Sequence, residues 1–203
     1  MGKYNEYISK TVNYYNKNAT KFTDDTAELN FTETQDHFLK YLNKGDLILD
    51  FGCGSGRDSK YFLSKGFEVE AIDGSKEMCK VASKIAGIEV KNMLFQDLNE
   101  ISKYDGIWAC SSILHLNRKE LENVFGLMVK ALKHGGYIYT SFKYSEFEGE
   151  RNGRYFIDFT EESFRNFIKD IKEIKINDLW ITSDVRPGRG DEKWLNLILK
   201  KIN

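Results

Sequence analysis

Proline is nearly absent from this 203-residue sequence: Pro187 is the single one, so no loop before it owes its chemistry to a proline. Cysteine is scarce and scattered. Cys53, Cys79 and Cys110 form no CxxC pair and no closely spaced trio, so no metal is expected, and the odd count suits a reducing cytoplasm better than a disulfide scaffold. Neither sign of charge dominates. A net charge of −1 gives no global attraction to nucleic acid or to an anionic membrane, and neither is expected as a partner. No apolar run approaches the roughly 18 residues of a membrane span. The N-terminus lacks a signal-peptide core and Glu6 breaks a myristoylation pattern, so the expected location is cytoplasmic.

What is present is an ordinary globular composition, 41% hydrophobic and 30% charged, in a chain long enough for one domain with a real core. Tyr4, Tyr7, Ile8, Tyr14, Tyr15 and Phe22 recur at mostly helical spacings. Thr32-x-x-Gln35 reads as a capping box, opening a helix with Phe38, Leu39 and Leu42 on one face and Gly45 at its end. From residue 47 strands alternate with helices. Strands are expected at 47–49, 67–72, 89–95, 106–110 and 137–142, with Ser75 and Asn117 as helix N-caps. A helix follows from Glu161 to about Ile171, N-capped by Thr160. Two apolar segments, 174–183 and 194–202, are separated by about ten residues, too few for a parallel crossover, so they should form an antiparallel hairpin. The alternation implies a doubly wound α/β sheet with helices on both faces.

The organising stretch is Leu47-Ile48-Leu49-Asp50-Phe51-Gly52-Cys53-Gly54-Ser55-Gly56-Arg57. A buried strand ends in an acid, then in three alternating glycines that let the backbone turn sharply and let a ligand come close. A P-loop needs Gly-Lys-Ser/Thr, which Gly56-Arg57-Asp58 does not supply. The dinucleotide fingerprint wants its third glycine where Arg57 stands. The acid at Asp50 suits a ligand bearing an ammonium group better than a pyrophosphate.

This Asp-x-Gly-x-Gly-x-Gly loop resembles motif I of the class I S-adenosylmethionine (SAM) methyltransferases, and the likeness runs from Leu47 to Phe142. The small tellurite-resistance-type enzymes, with Asp-x-Gly-Cys-Gly-x-Gly-Arg-x-Ser and an aromatic N-terminal helix, are the most similar subgroup. The resemblance implies a Rossmann-like seven-stranded, mostly parallel sheet of order 3-2-1-4-5-7-6. It also implies one domain over 1–203: an N-terminal helical lid (1–45), a SAM-binding core (46–142), and substrate-side loops with the hairpin (143–203). SAM would be the cofactor, S-adenosylhomocysteine (SAH) the product, and a small molecule the acceptor.

Ligands of open α/β sheets sit at the carboxyl ends of the strands. Asp73 closes the second strand, 23 residues after Asp50, close to the roughly 20-residue spacing of a ribose-binding acid; alternatively it starts a turn before Gly74. The resemblance makes Asp97 the adenine carboxylate, with the Leu98 amide on the ring and Met78 on its face, unless Met78 is simply core. It extends the cofactor set to Tyr15, Asp50, Gly52, Cys53, Gly54, Gly56, Arg57, Gly74, Ser75, Gln96, Cys110 and Ser111. Asp50, Asp73 and Asp97 should meet at one sheet edge.

At the motif IV position, residues 110–116, the Asn/Asp-Pro-Pro-Tyr of exocyclic-amine methyltransferases is missing, and Cys110 lacks a nucleophile's setting, which argues against base methylation. His115 is the candidate general base; alternatively it packs or caps the next helix. Arg151 and Arg154 after the fifth strand, with Arg186 and Arg189 in the hairpin loop, would clamp an anionic acceptor, or else pair with Glu146, Glu148, Glu150, Asp191 and Glu192. Two rivals stay open: a SAM-binding sensor or partner protein without transferase activity, and an NAD-linked enzyme.

Overall fold

The computed structural model describes residues 6–203. Tyr4 lies outside the described residues. Its centre is a seven-stranded sheet of order β3-β2-β1-β4-β5-β9-β8. The strands are β1 (Leu47–Phe51), β2 (Glu68–Asp73), β3 (Val90–Asn92), β4 (Tyr104–Ala109), β5 (Leu132–Lys143), β8 (Ile174–Ser183) and β9 (Lys193–Lys201). β1 to β5 run parallel, and β9 pairs antiparallel with both β5 and β8. With the separate β6–β7 hairpin (Glu148–Arg151, Arg154–Ile157) set aside, the order is the expected 3-2-1-4-5-7-6.

β1 reads as a nearly continuous apolar run because both its faces are covered. On one face Leu49, Ile107, Ile138 and Leu197 pack with α5 (Arg118–Ala131) and α6 (Glu161–Ile168). On the other, Ile48, Trp108, Tyr139 and Ile198 meet Phe38 of α2 (Thr32–Leu39) and Phe62 of α3 (Arg57–Ser64). There α4 (Lys76–Ala86) adds Cys79 and Ala82 against Ala71 and Val90. The chain changes faces between β3 and β4, which leaves a crevice at the carboxyl ends of neighbouring β1 and β4.

Ser75, Asn117 and Thr160 cap their helices as expected, their side-chain oxygens accepting from the amides of Met78, Glu120 and Ser163. The Thr32–Gln35 capping box does not form. Thr32 is already inside α2 and bonds Asn30, while the Gln35 amide turns away to donate to Asp58 Oδ1 at 2.7 Å. β3 is three residues long rather than seven, because the chain leaves the sheet for a 3₁₀ turn at Phe95–Asp97. The β6–β7 hairpin replaces what reads in sequence as a plain loop.

α1 (Glu6–Thr26) crosses the carboxyl edge of the sheet against α4 and β7, with non-helical backbone at Asn18 (φ −113°, ψ 15°). No helix among the described residues is long and apolar enough to cross a membrane.

Candidate functional site

A cavity of about 240 Å³ opens at the carboxyl ends of β1 and β4. Its floor is the glycine loop. The amides of Gly52 and Cys53 both donate to the carbonyl of Ile72 at 3.0 Å, which pulls the loop onto the end of β2. Gly52, Gly54 and Gly56 all have positive φ, +89°, +54° and +81°. A Cβ at Gly52 would stand 2.5 Å from Ser112 Cβ, and one at Gly54 would enter the cavity 3.3 Å from the Phe22 ring. At Gly56 it would meet the Ala82 backbone at 2.9 Å, so this third glycine serves the packing of α3 on α4.

Asp73 joins the loop to the next turn. Its Oδ2 accepts the Gly54 amide at 3.0 Å and its Oδ1 the Ser75 amide at 2.8 Å. Burial pushes its pKa up to about 6, against the pull of those two amides. Each oxygen keeps a lone pair for a hydroxyl. Leu94, Phe95 and Gln96 form one side wall. Cys110, Ser111 and Ser112 form another, with small side chains and a left-handed backbone at Ser111 (φ +52°). Burial, helped by the charge of Asp58, raises the Cys110 thiol to about 12, so it is a protonated wall group and not a nucleophile.

The roof holds a hydrogen-bonded chain. His115 Nδ1 lies 2.7 Å from the carbonyl oxygen of Tyr155 and therefore carries the proton. That leaves Nε2 to accept from the Tyr15 hydroxyl at 2.8 Å. The Tyr15 oxygen in turn accepts from Arg154 Nη1 at 3.1 Å. Burial, and then the charges of Arg154 and Arg151, push His115 down to about 3 and keep it neutral. Burial raises the Tyr15 phenol while Arg154 draws it down.

Of the residues expected at the site, Tyr15, Gly52, Cys53, Gly54, Arg57, Asp73, Gly74, Ser75, Gln96, Cys110, Ser111, His115, Arg154, Arg186 and Arg189 line this cavity. Six do not. Asp50 is buried beneath the loop, 2% exposed, accepting from Ser59 Oγ at 2.5 Å; burial and the nearby Asp58 charge raise its pKa well above the usual range. It braces the loop from below and offers nothing to an ammonium group in the cavity. Gly56 faces α4. Met78 is core, 1% exposed. Asp97 lies on the exposed side of the 3₁₀ turn and Leu98 packs into the core, so Gln96, one residue earlier, is the polar group facing inward. Arg151 forks onto buried Asp158, with bonds of 2.9 and 3.0 Å. The three carboxylates Asp50, Asp73 and Asp97 thus do not share one cleft; Asp73 alone of them reaches it.

Residues missed in sequence complete the walls. Asp58 accepts Gln35, both forks of Arg57 and the Trp108 indole N–H at 2.7–3.0 Å. Beyond it Ser141, Lys143, Thr182, Asp184, Trp194 and Asn196 extend the cavity under the β8–β9 loop. Their only signal is topological, since they sit where β5, β8 and β9 reach the same edge. Among the described residues no group of three His, Cys, Asp or Glu side chains is placed to hold a metal.

Residues 48–136 match the family described as "Methyltransferase domain". The chain is 34% identical over 110 residues to the putative methyltransferase YqeM of Bacillus subtilis (strain 168), spanning 49% of this chain but only 44% of that one. It is 24% identical over 194 residues to an uncharacterized methyltransferase of Alkaliphilus oremlandii, covering 87% and 89% of the two chains. In fold it matches a Burkholderia thailandensis 1,6-didemethyltoxoflavin-N1-methyltransferase, solved with 1,6-didemethyltoxoflavin and SAH, at TM-score 0.78, 20% identity and 100% and 92% coverage. It also matches the magnesium protoporphyrin IX methyltransferase of Synechocystis PCC 6803, solved with SAM, at TM-score 0.73, 18% identity and 99% and 100% coverage.

The cofactor that these likenesses imply is SAM, which the Synechocystis protein was solved with. The residues present fit it. The cradle at Gly54 excludes a side chain, Asp73 keeps acceptor capacity for hydroxyls, and the Leu94–Phe95 wall is apolar with an amide at its edge in Gln96.

Proposed function

We propose that this chain transfers the methyl group of SAM to a small-molecule acceptor by direct in-line displacement. The observation that carries the reading is the cavity itself, lined by Asp73 and the glycine loop together with the Tyr15–His115 pair under α1. A roof of helix and hairpin favours a compact acceptor over a nucleic-acid strand.

Asp73 would accept the ribose hydroxyls, Leu94 and Phe95 would flank the adenine, and Gln96 would meet its polar edge. Gly52, Cys53, Gly54, Gly74, Ser75, Cys110 and Ser111 line the remaining length, and Arg57 closes it against Phe31. When bound, SAM supplies a methyl group on a sulfonium that is its own leaving group. The protein's largest contribution is then alignment, worth up to about 7–11 kcal/mol. Tyr15 and His115 handle the acceptor's proton. The phenol passes its hydrogen to His115 Nε2 and takes the acceptor's hydrogen on its oxygen, while the Tyr155 carbonyl holds the ring in the required tautomer. The N-terminal half of α1, which carries Tyr15, acts as a lid.

The test is calorimetric titration with SAM and SAH, followed by a tritiated-methyl transfer screen against cell metabolites. The proposal expects binding and a labelled small-molecule product. Tight binding with no turnover in any metabolite pool would make the chain a SAM-binding protein without transferase activity, and absence of binding would end the cofactor reading.

A further inference from the structure

Five cationic side chains line the cavity: Arg57, Lys143, Arg154, Arg186 and Arg189. Four have carboxylate partners. Arg57 forks onto Asp58, Arg186 onto Asp184, and Lys143 and Arg189 share Glu192. Arg154 differs. Among the described residues no carboxylate lies within 4 Å of it. Its Nε is buried without a hydrogen-bond partner, and Nη1 is engaged by the neutral Tyr15 oxygen.

Its surroundings fix the guanidinium in place while leaving the charge unneutralised. It stands 4.4 Å from the Tyr14 ring centroid, 5.0 Å from Phe156 and 5.6 Å from Tyr15. Aromatic faces hold a cation in position but supply no hydrogen-bond acceptor in the plane of the fork. The two-residue turn Asn152-Gly153, with φ +53° and +75°, sets Arg154 opposite Arg151. Arg151 is locked on Asp158 and Arg154 is delivered to the cavity. A half-buried, planar guanidinium with no carboxylate partner is a preformed receptor for a carboxylate or phosphate.

We propose that Arg154 docks the anionic group of the methyl acceptor. The acceptor is then a small acid whose methylated O–H or N–H lies within a few bonds of its carboxylate or phosphate. The short spacing follows from Arg154 Nη1 and the Tyr15 oxygen being hydrogen-bonded to each other, so an anion on the fork places its neighbouring atoms beside the proton-handling pair. This inference rests on the methyltransferase reading and narrows its substrate class.

The experiment uses the SAH-loaded protein labelled with ¹⁵N-arginine, titrated separately with acetate and with inorganic phosphate. The Arg154 Nε–H signal, assigned by its loss in Arg154→Lys, should shift saturably with at least one anion, and the choice between them tells carboxylate from phosphate. Arg154→Gln should weaken that anion at least tenfold, while Arg189→Gln, whose guanidinium is already paired, should retain it. Absence of any shift, or equal anion binding by wild type and Arg154→Gln, overturns the proposal. So does an Arg154→Gln protein that loses affinity for SAH but not for 5′-methylthioadenosine, since Arg154 would then hold the cofactor's own carboxylate. If wild type fails to bind SAH at all, it is the methyltransferase reading that fails.

Discussion

Asp73 lines the cavity as a buried carboxylate, and its elevated pKa gives the site a pH signature. In the free protein burial raises the group from about 3.8 to about 6. Its contribution to the free fold is therefore fully present below pH 3.8 and lost as pH rises through 6. Ribose hydroxyls donate to the ionised form, so the cofactor reverses that preference. SAH affinity should be level above pH 6.5, fall by up to tenfold per unit below 6, and be accompanied by proton release in that range. Calorimetry in buffers of different ionisation enthalpy measures both, and Asp73→Asn should weaken binding and flatten the pH profile. Across the cavity, Tyr15→Phe removes the donor to His115 and the acceptor for Arg154 together. Turnover should fall by about 10²–10⁴, with SAH affinity changed only a few-fold, as read from single-turnover methyl transfer. The position of Asp73 at the cavity was legible because strand ends and spacing are written in the chain. The positions of Asp50 and Asp97 were not, since whether an acid at a strand end points into a cleft depends on the turn that follows it. Arg189 does pair with Glu192, one of the acids the sequence offered, whereas the partners of Arg151 and Arg186 were hidden: Asp158 and Asp184 are not in the acidic runs that seemed to compete for the arginines.

Among the elements, the glycine loop separates folding from binding. Gly56 and Gly54 share a left-handed backbone, yet a methyl group at Gly56 would strike α4 backbone, whereas one at Gly54 would meet only the edge of the Phe22 ring and the cavity. Gly56→Ala should lower stability by about 1–3 kcal/mol or more. Gly54→Ala should shift the melting temperature less while reducing SAH affinity at least tenfold. Thermal melts beside calorimetry test the contrast, and equal effects on both readouts would contradict it. The alternating helices and strands of 47–142 were readable because α4 and α5 carry their own caps, the glycine loop opens α3, and the strands carry apolar runs. The β6–β7 hairpin had a sequence signal, Asn152-Gly153, the favoured dipeptide of a two-residue hairpin turn. It is masked by the charged residues around it. The Thr32–Gln35 capping box shows the opposite failure, a local signal overridden by a distant carboxylate that binds the glutamine more strongly.

At the scale of the whole molecule, the sheet supports a roof joined to it by polar contacts beside the buried Ile8 and the Tyr7–Tyr155 ring pair. The N-terminal part of α1 is tied by Tyr15 to His115, by Thr11 to the Tyr155 amide at 3.3 Å, by Asn16 to Ser75 at 2.8 Å and by Lys10 to Glu150 at 3.2 Å. Such bonds exchange with water at small net cost, about 0.5–1.5 kcal/mol each, whereas the sheet is held by two-sided apolar burial. The backbone departs from helix at Asn18, where the roof half of α1 meets the half anchored by Thr26 at Ser55. Opening therefore asks for local release at Asn18 and leaves the core intact. On this lid reading, hydrogen exchange in the free protein should be fast in residues 6–17 and 148–157 and slow in β1, β4 and β5. SAH should protect the first two segments at least tenfold while leaving the sheet unchanged, because Asp73 and the loop amides are set before the cofactor arrives and the roof closes after it. Uniform protection across the fold would mean that the cofactor stabilises the molecule globally, and the roof would then be a fixed wall with entry elsewhere.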